Sequence, residues 1–170
     1  MRRVVCVLAA MALALLLASG AALALTKIGT NGPDTLRGTN GNDNLLGKGG
    51  NDRLFALNGR DTLLGGGEEG NDLLFDGPDR DVALDKLSGG AGTDVIGVAS
   101  LRLKATAADI VTCGSGFDRV VADTKDVVAP DCEKVDLFRG GTRSEYNDLL
   151  NEFFSEVPPS FFEGLQPGAL

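Results

Sequence analysis

The feature that most constrains this chain is a period. Asp34, Asp43, Asp52 and Asp61 stand nine residues apart. The residue two after each is Leu36, Leu45, Leu54 and Leu63, and the residue two before each is Gly32, Gly41, Gly50 and Gly59. The rhythm continues with looser spacing through Asp72, Asp81, Asp94, Asp109, Asp118 and Asp126. Two residues after each of these comes Leu74, Ala83, Ile96, Val111, Val120 or Val128, all apolar. The pattern is strong over residues 29–64, carries an insertion at Gly65–Gly67 or Glu68–Glu69, and decays after Asp94. A fixed short period means a repeat architecture, in which each unit is stable only against its neighbours.

The unit reads as a six-residue turn followed by a three-residue strand. The x-Leu-x after each Asp supplies the alternation a strand needs, but such a strand is too short to stand alone. Stacked copies bury the leucines in one continuous core. Glycine takes positive φ without steric cost, and Asn31, Asn40 and Asn58 are of the next most tolerant type. One buried leucine is a small return for ordering a whole unit. Stacking also lines up the Asp carboxylates of successive turns, where like charges repel. A divalent cation shared between turns answers both problems, and Ca²⁺ accepts the irregular shells of carboxylate and carbonyl oxygens that glycine-rich turns offer. The expected metal-holding set is Gly29, Asn31, Asp34, Gly38, Asn40, Asp43, Gly47, Gly49, Asp52, Asn58, Asp61, Asp72 and Asp94. The rival reading, turn formers in a polar linker, gives no reason for an apolar residue at a fixed offset after every Asp.

GTNGPDTLR, GTNGNDNLL, GKGGNDRLF, GGEEGNDLLF and GGAGTDVIG resemble the hemolysin-type calcium-binding repeat, the RTX nonapeptide, whose pattern is GGxGxDxUx with U a large apolar residue. The resemblance covers residues 29–97. It implies an all-β fold, a right-handed parallel β-roll in which two nonapeptides make one coil and calcium sits between turns of successive coils. On that basis Asp34 faces Asp52, Asp43 faces Asp61, and Asp52 faces Asp72. Doubled glycine occurs here only at Gly49-Gly50, Gly65–Gly67 and Gly89-Gly90, and Asn often stands in its place.

The first 24 residues have the layout of a secretory signal peptide: Arg2 and Arg3, an apolar run from Val4 to Leu17, then Ala22-Leu23-Ala24 before a cleavage point. The alternative is a retained anchor, for which the run barely reaches the roughly 20 residues that span a bilayer. The net charge is −8, and cleavage removes two positive charges and no negative one. A chain this acidic is a poor partner for nucleic acid or anionic membrane and a good one for cations. Cys6 leaves with the signal, and Cys113 and Cys132 remain. In an exported protein an even pair reads first as a disulfide. Metal binding by two thiols is the alternative, with no histidine anywhere to complete a zinc site.

From residue 98 to 136 the Asp-x-apolar rhythm persists with more Val and less Gly, so these coils are expected to rely on packing and the cysteine pair more than on metal. Asp118 is accordingly expected to shape a turn, and its loss to matter less than that of Asp52. Residues 137–170 change character. Thr142 and Glu145 fit a capping box, Tyr146, Leu149, Leu150, Phe153, Phe154 and Val157 fall on one helical face, and Pro158-Pro159 stops the helix. Two roles are open for it: a cap over the end of the roll, or a surface for a partner. The absence of histidine removes Ser-His-Asp, Cys-His and histidine–metal chemistry. The expected protein is therefore secreted and extracellular, a non-enzymatic calcium binder with a structural or adhesive role toward a protein or cell-surface partner. The alternatives are a metal-independent solenoid that presents a binding surface, and an accessory module of an extracellular hydrolase.

Overall fold

The computed structural model describes residues 23–77, 83–98, 107–139 and 142–155. The signal segment through residue 22, Asp81, Pro158-Pro159 and the tail beyond residue 155 lie outside them. Each strongly matching unit gives one three-residue strand, directly after its Asp: β2 (Thr35–Arg37), β3 (Asn44–Leu46), β4 (Arg53–Phe55) and β5 (Thr62–Leu64). They follow β1 (Thr26–Ile28) and lead to β6 (Leu73–Phe75), β7 (Lys86–Ala91), β8 (Val95–Gly97), β9 (Ile110–Ser115), β10 (Arg119–Asp123), β11 (Val127–Val128) and β12 (Lys134–Phe138).

The strands alternate between two parallel six-stranded sheets. The first runs β1-β3-β5-β7-β9-β11 and the second β12-β10-β8-β6-β4-β2. A chain that visits two sheets in strict alternation, each time beside its previous visit, is a β-solenoid of two repeats per coil. Register keeps the apolar position in line: Leu36↔Leu54↔Leu74↔Ile96↔Val120 on the second sheet, and Leu45↔Leu63↔Leu87↔Val111 on the first. These two rows face each other and form the core, with Ala56, Val98, Cys113 and Ala122. Leu54, Leu63, Leu74, Ile96, Val111 and Val120 are fully buried.

The coils lengthen along the chain. Asp34 and Asp52 are 18 residues apart in the stack, Asp61 and Asp85 24. Two of the extra residues fall within the exposed stretch Gly67, Glu68 and Glu69, where the insertion is expected, and the others in the connection between Asp72 and Asp85. One expectation is corrected here. Ala83, two after Asp81, does not take the core position of the next unit. Asp85 directly precedes β7 and Leu87 fills the core, because the connection after β6 is longer than a nonapeptide.

The two ends of the solenoid differ. At the N-terminal end the core position of β1 is Lys27, in register with Leu45, and its Nζ donates to Arg37 O at 2.7 Å. At the C-terminal end Cys113 and Cys132 are joined by a disulfide, as their pairing in the sequence implies. In the chain-entropy model, closing that loop is worth about 3 kcal/mol. Val135 and Leu137 lie on the core side of β12, in register with Val120 and Ala122, yet remain 39% and 45% exposed. Helix α1 (Arg143–Ser155) follows, and its capping box is formed: Glu145 N donates to Thr142 Oγ1 and Thr142 N to Glu145 Oε2. The exposure of Val135 and Leu137 means the end is not covered in the way a terminal cap requires. Among the described residues no helix is long and apolar enough to cross a membrane.

Candidate metal centre

The turns form two edges. First-edge turns lead from the first sheet to the second and carry Asp34, Asp52, Asp72, Asp94 and Asp118. Second-edge turns lead back and carry Asp43, Asp61, Asp85, Asp109 and Asp126. Each Asp is tied to the same position one coil earlier. On the first edge Asp34 N donates to Asp52 Oδ1, Asp52 N to Asp72 Oδ1, Asp72 N to Asp94 Oδ1 and Asp94 N to Asp118 Oδ1, each at 2.8 Å. Glu133 ends the series by accepting from Asp118 N. On the second edge Leu25 N donates to Asp43 Oδ1, and the ladder continues through Asp61, Asp85 and Asp109 to Asp126.

The pairs Asp34/Asp52, Asp43/Asp61 and Asp52/Asp72 are therefore neighbours in the stack. Asp94 and Asp118 stand in the same ladder, so the structure gives Asp118 no less than the environment of Asp52: both are buried. Asp85 is a ladder member that counting nine residues from Asp72 passes over.

A second ladder runs the opposite way and is missed by the sequence reading. Asn42 Oδ1 accepts from Arg60 N, Asn51 Oδ1 from Asn71 N, and Asn71 Oδ1 from Thr93 N. The Asn-Asp dipeptide thus bonds to the following coil through its Asn carbonyl and to the preceding coil through its carboxylate. The recurrence of Asn before Asp at residues 42, 51 and 71 is the signal for it. Asn40 and Asn58, in the expected set, bond to each other through their side chains at 2.7 Å, and Asn31 is exposed.

The second carboxylate oxygen separates two kinds of turn. In the first two units it is taken locally: Asp34 Oδ2 accepts from Thr30 N and Oγ1, and Asp43 Oδ2 from Thr39 N and Oγ1. In later turns the equivalent residue has positive φ, as at Lys48 (92°), Leu57 (90°), Gly90 (122°) and Gly114 (109°). The N–H of Lys48 and of Leu57 then points to the next coil, to Gly65 O and Asp76 O. Asp52, Asp94 and Asp118 keep a buried Oδ2 with no hydrogen-bond donor. An unpartnered buried carboxylate oxygen is costly.

Those oxygens face others. A Cβ added at Gly29 would meet Gly47 O at 2.6 Å and Asp34 Oδ2 at 2.7 Å. At Gly47, Gly65 and Gly89 an added Cβ would likewise sit between the carboxylate of its own turn and the carbonyl of Gly65, Gly89 or Cys113 in the next coil. Gly38 has the same arrangement with Asp43 and Ala56 O. Gly49 instead abuts the Glu68 side chain. Carboxylate and carbonyl oxygens therefore converge across a gap that only glycine leaves open. Among the described residues no three carboxylates meet at one point, so main-chain oxygens must supply the rest of any donor set. An all-oxygen set of mixed carboxylate and carbonyl suits a hard cation, and the residues present fit calcium.

Protonation follows from the same crowding. Burial pushes the Asp94 carboxyl up to about 7; the N–H of Asp72 opposes the rise, and the charges of Asp72 and Asp118 add to it. Burial also raises Asp52 and Asp72 to about 6, each held back by the N–H of the Asp one coil earlier, and raises Asp118 above its ordinary value.

The family model of the RTX calcium-binding nonapeptide repeat matches this chain in four copies, over residues 28–63 and 85–97. These repeats bind Ca²⁺, which is the cofactor of this fold. Comparison with curated proteins and with solved structures gives no match to the chain.

Proposed function

We propose, from four RTX calcium-binding repeats as the premise, that this chain is a secreted structural protein whose β-roll is locked by calcium. The carrying observation is the buried, donor-free Oδ2 of Asp52 and Asp94 opposite Gly65 O and Cys113 O of the neighbouring coil, with Asp118 Oδ2 likewise buried and donor-free. Asp52, Asp72, Asp94 and Asp118 would hold the ions of the first edge, with carbonyls of the position occupied by Gly47, Gly65, Gly89 and Cys113. Asp61 would serve the second, with Asp43, like Asp34, closing its turn through a threonine, Thr39, and contributing less. The bound cation neutralises the aligned carboxylates, while the ladders and core hold its ligands in place. Asp34 closes its turn through Thr30 and contributes less. The leader at residues 1–24, export and an adhesive role toward a protein or cell-surface partner belong to this reading, as does the lack of catalysis.

Calorimetric and circular-dichroism titration of the metal-free protein with CaCl₂, and separately with MgCl₂, tests it. Calcium should bind at more than one site and raise the β signal. Magnesium should do so poorly, because it demands a tight octahedral shell. Equal β content and thermal stability with and without calcium would overturn the proposal and favour the metal-independent solenoid.

A further inference from the structure

The two outer faces of the solenoid are not alike. On the first sheet the outward side chains are exposed or half-buried, with Ile28, Leu64 and Val127 exposed. On the second sheet the outward positions of the middle strands are Phe55, Leu73, Phe75, Val95, Gly97 and Val121, on the side opposite the core row. They run in register, Phe55↔Phe75↔Gly97↔Val121 and Leu73↔Val95, and the Phe55 and Phe75 rings stack at 6.1 Å. Leu73, Val95 and Val121 are almost completely buried and Phe55 is nearly so. A strand whose other face fills the core is buried on both sides only when another layer lies upon it.

The last strand shows where that layer is. On β12 the core-side residues Val135 and Leu137 are exposed, whereas Phe138, on the outer side, is only 6% exposed. The cover lies beside the sheet, not across its end. Helix α1 lies against β12. Only four residues, 139–142, separate it from that strand, so it has little freedom to go elsewhere. Its apolar residues share one side by spacing, and Leu149 is half-buried while Glu145, Asp148, Asn151 and Glu152 are exposed. Thirteen helical residues span about 20 Å, enough to cross four strands at about 4.8 Å spacing. The apolar seam is four strands wide, β4 to β10. Arg53 and Arg119 end the Leu73 row, and Arg119 pairs with Asp136 of β12 at 3.7 Å.

We infer that the outer face of the second sheet is a docking face for helix α1, an amphipathic segment of this same chain that closes a second apolar layer outside the solenoid. The helix is a lateral brace. The strands beneath it start directly after Asp52, Asp72, Asp94 and Asp118, so the docked helix holds the coils that carry the first edge in mutual register. This last consequence rests on the calcium reading, but the docking itself does not.

Hydroxyl-radical footprinting with mass spectrometry on the full chain tests it, in calcium, with three proteins. In Leu149→Asp/Phe153→Asp, oxidation of Phe55, Phe75 and Phe138 should rise several-fold over the parent chain. In Leu101→Asp/Leu103→Asp, which alters the connection between β8 and β9, it should stay at the parent level. The β spectrum and the disulfide should be intact in both. Should the first variant not fold, Leu149→Ala makes the same test with a smaller rise. Protection of the three phenylalanines in both helix variants would overturn the inference. So would their exposure in the Leu101→Asp/Leu103→Asp protein alone, which would make that connection the occupant. Failure of calcium to bind, with the footprint changing as stated, would overturn the calcium reading and leave the docking standing.

Discussion

The two edges of the solenoid share a ladder and differ in their cage. On both, each Asp after Asp34 and Asp43 accepts an N–H from the Asp one coil before it, as far as Asp118 and Asp126. Among the described residues the first edge also keeps small residues in column from coil to coil, whereas on the second the column is confined to Gly38 with Ala56 and Gly41 with Gly59. Gly29, Gly47, Gly65 and Gly89 stack to Cys113, and Gly66 and Gly90 to Gly114. On the second edge the place of Gly38 is taken by Ala56 in the next coil, and the turns then become the long connections before Asp85 and Asp109. The Asp ladder is thus a property of stacking, whatever the turn holds. A metal cage additionally needs carbonyls brought close, and carbonyls come close only where no Cβ intervenes. Repeated Asp alone does not diagnose calcium; Asp with columnar glycine does.

The comparison breaks most readily at the glycines. Gly90 has φ 122°, and a Cβ there would collide with Gly66 O. Gly90→Ala should destabilise the calcium-bound protein by about 3 kcal/mol or more, the sum of left-handed strain and overpacking. Gly67, on the same edge, has open space around it, and Gly67→Ala should change stability by less than about 0.5 kcal/mol. Urea unfolding of the pair measures this; similar losses would mean the column is not a cage.

Next in size is the contrast between carboxylates. Asp94→Asn should raise the calcium needed for folding about tenfold, and Asp109→Asn on the second edge should shift it little. The same titration on Asp52→Asn and Asp118→Asn should give matching losses, because both have a buried Oδ2 without a donor. A near-neutral Asp118→Asn would restore the narrower metal array drawn from sequence.

The pH response sharpens the contrast by its sign. Asp52 and Asp72 near 6 and Asp94 near 7 lie above their unfolded value of 3.8. Between about pH 4 and pH 7 the metal-free folded chain therefore holds more protons than the unfolded chain, and its stability should fall as pH rises through that window. Calcium needs the same groups ionised, so in saturating calcium the slope should flatten across that window. Thermal unfolding at about pH 5 and about pH 8, with and without calcium, reads both slopes. A common slope would show that these carboxyls do not meet the ion.

The smallest effect should be a gain. Lys48 and Leu57 hold φ near 90° where Gly90 and Gly114 stand in later turns. Lys48→Gly should stabilise by about 0.5–1 kcal/mol, relief of strain less the added freedom of the unfolded chain, and Leu57→Gly should do the same on the second edge. A thermal shift upward in both checks it.

Much of this was legible in the sequence because it is periodic. The leucine offset alone locates β2 to β5 and their core side chains, and Thr142 with Glu145 locates the start of α1. What escaped lies where the period is interrupted. Asp85 stands 24 residues from its partner Asp61, so counting from Asp72 selects Asp81 instead. The difference between Thr30 and Lys48 lies in backbone conformation, and both residues are compatible with a turn. The cover on the second sheet is written in Phe55, Leu73, Phe75 and Val95, outward positions that a repeat reading assigns to solvent because it sees one core per solenoid.

Lys27 has a consequence for how such a molecule can lengthen. Among the described residues β1 and β2 end the stack on one side and β11 and β12 on the other, and terminal strand edges are the usual invitation to uncontrolled growth. A coil added before β1 would have to bury an ammonium group in the core. A coil added after β12 would cover Val135 and Leu137, which already lie in line to receive it. The rod therefore has a blocked end and a permissive end, like a zip with a single stop. Duplicated repeats, whether arising by descent or by engineering, are accommodated on the C-terminal side alone.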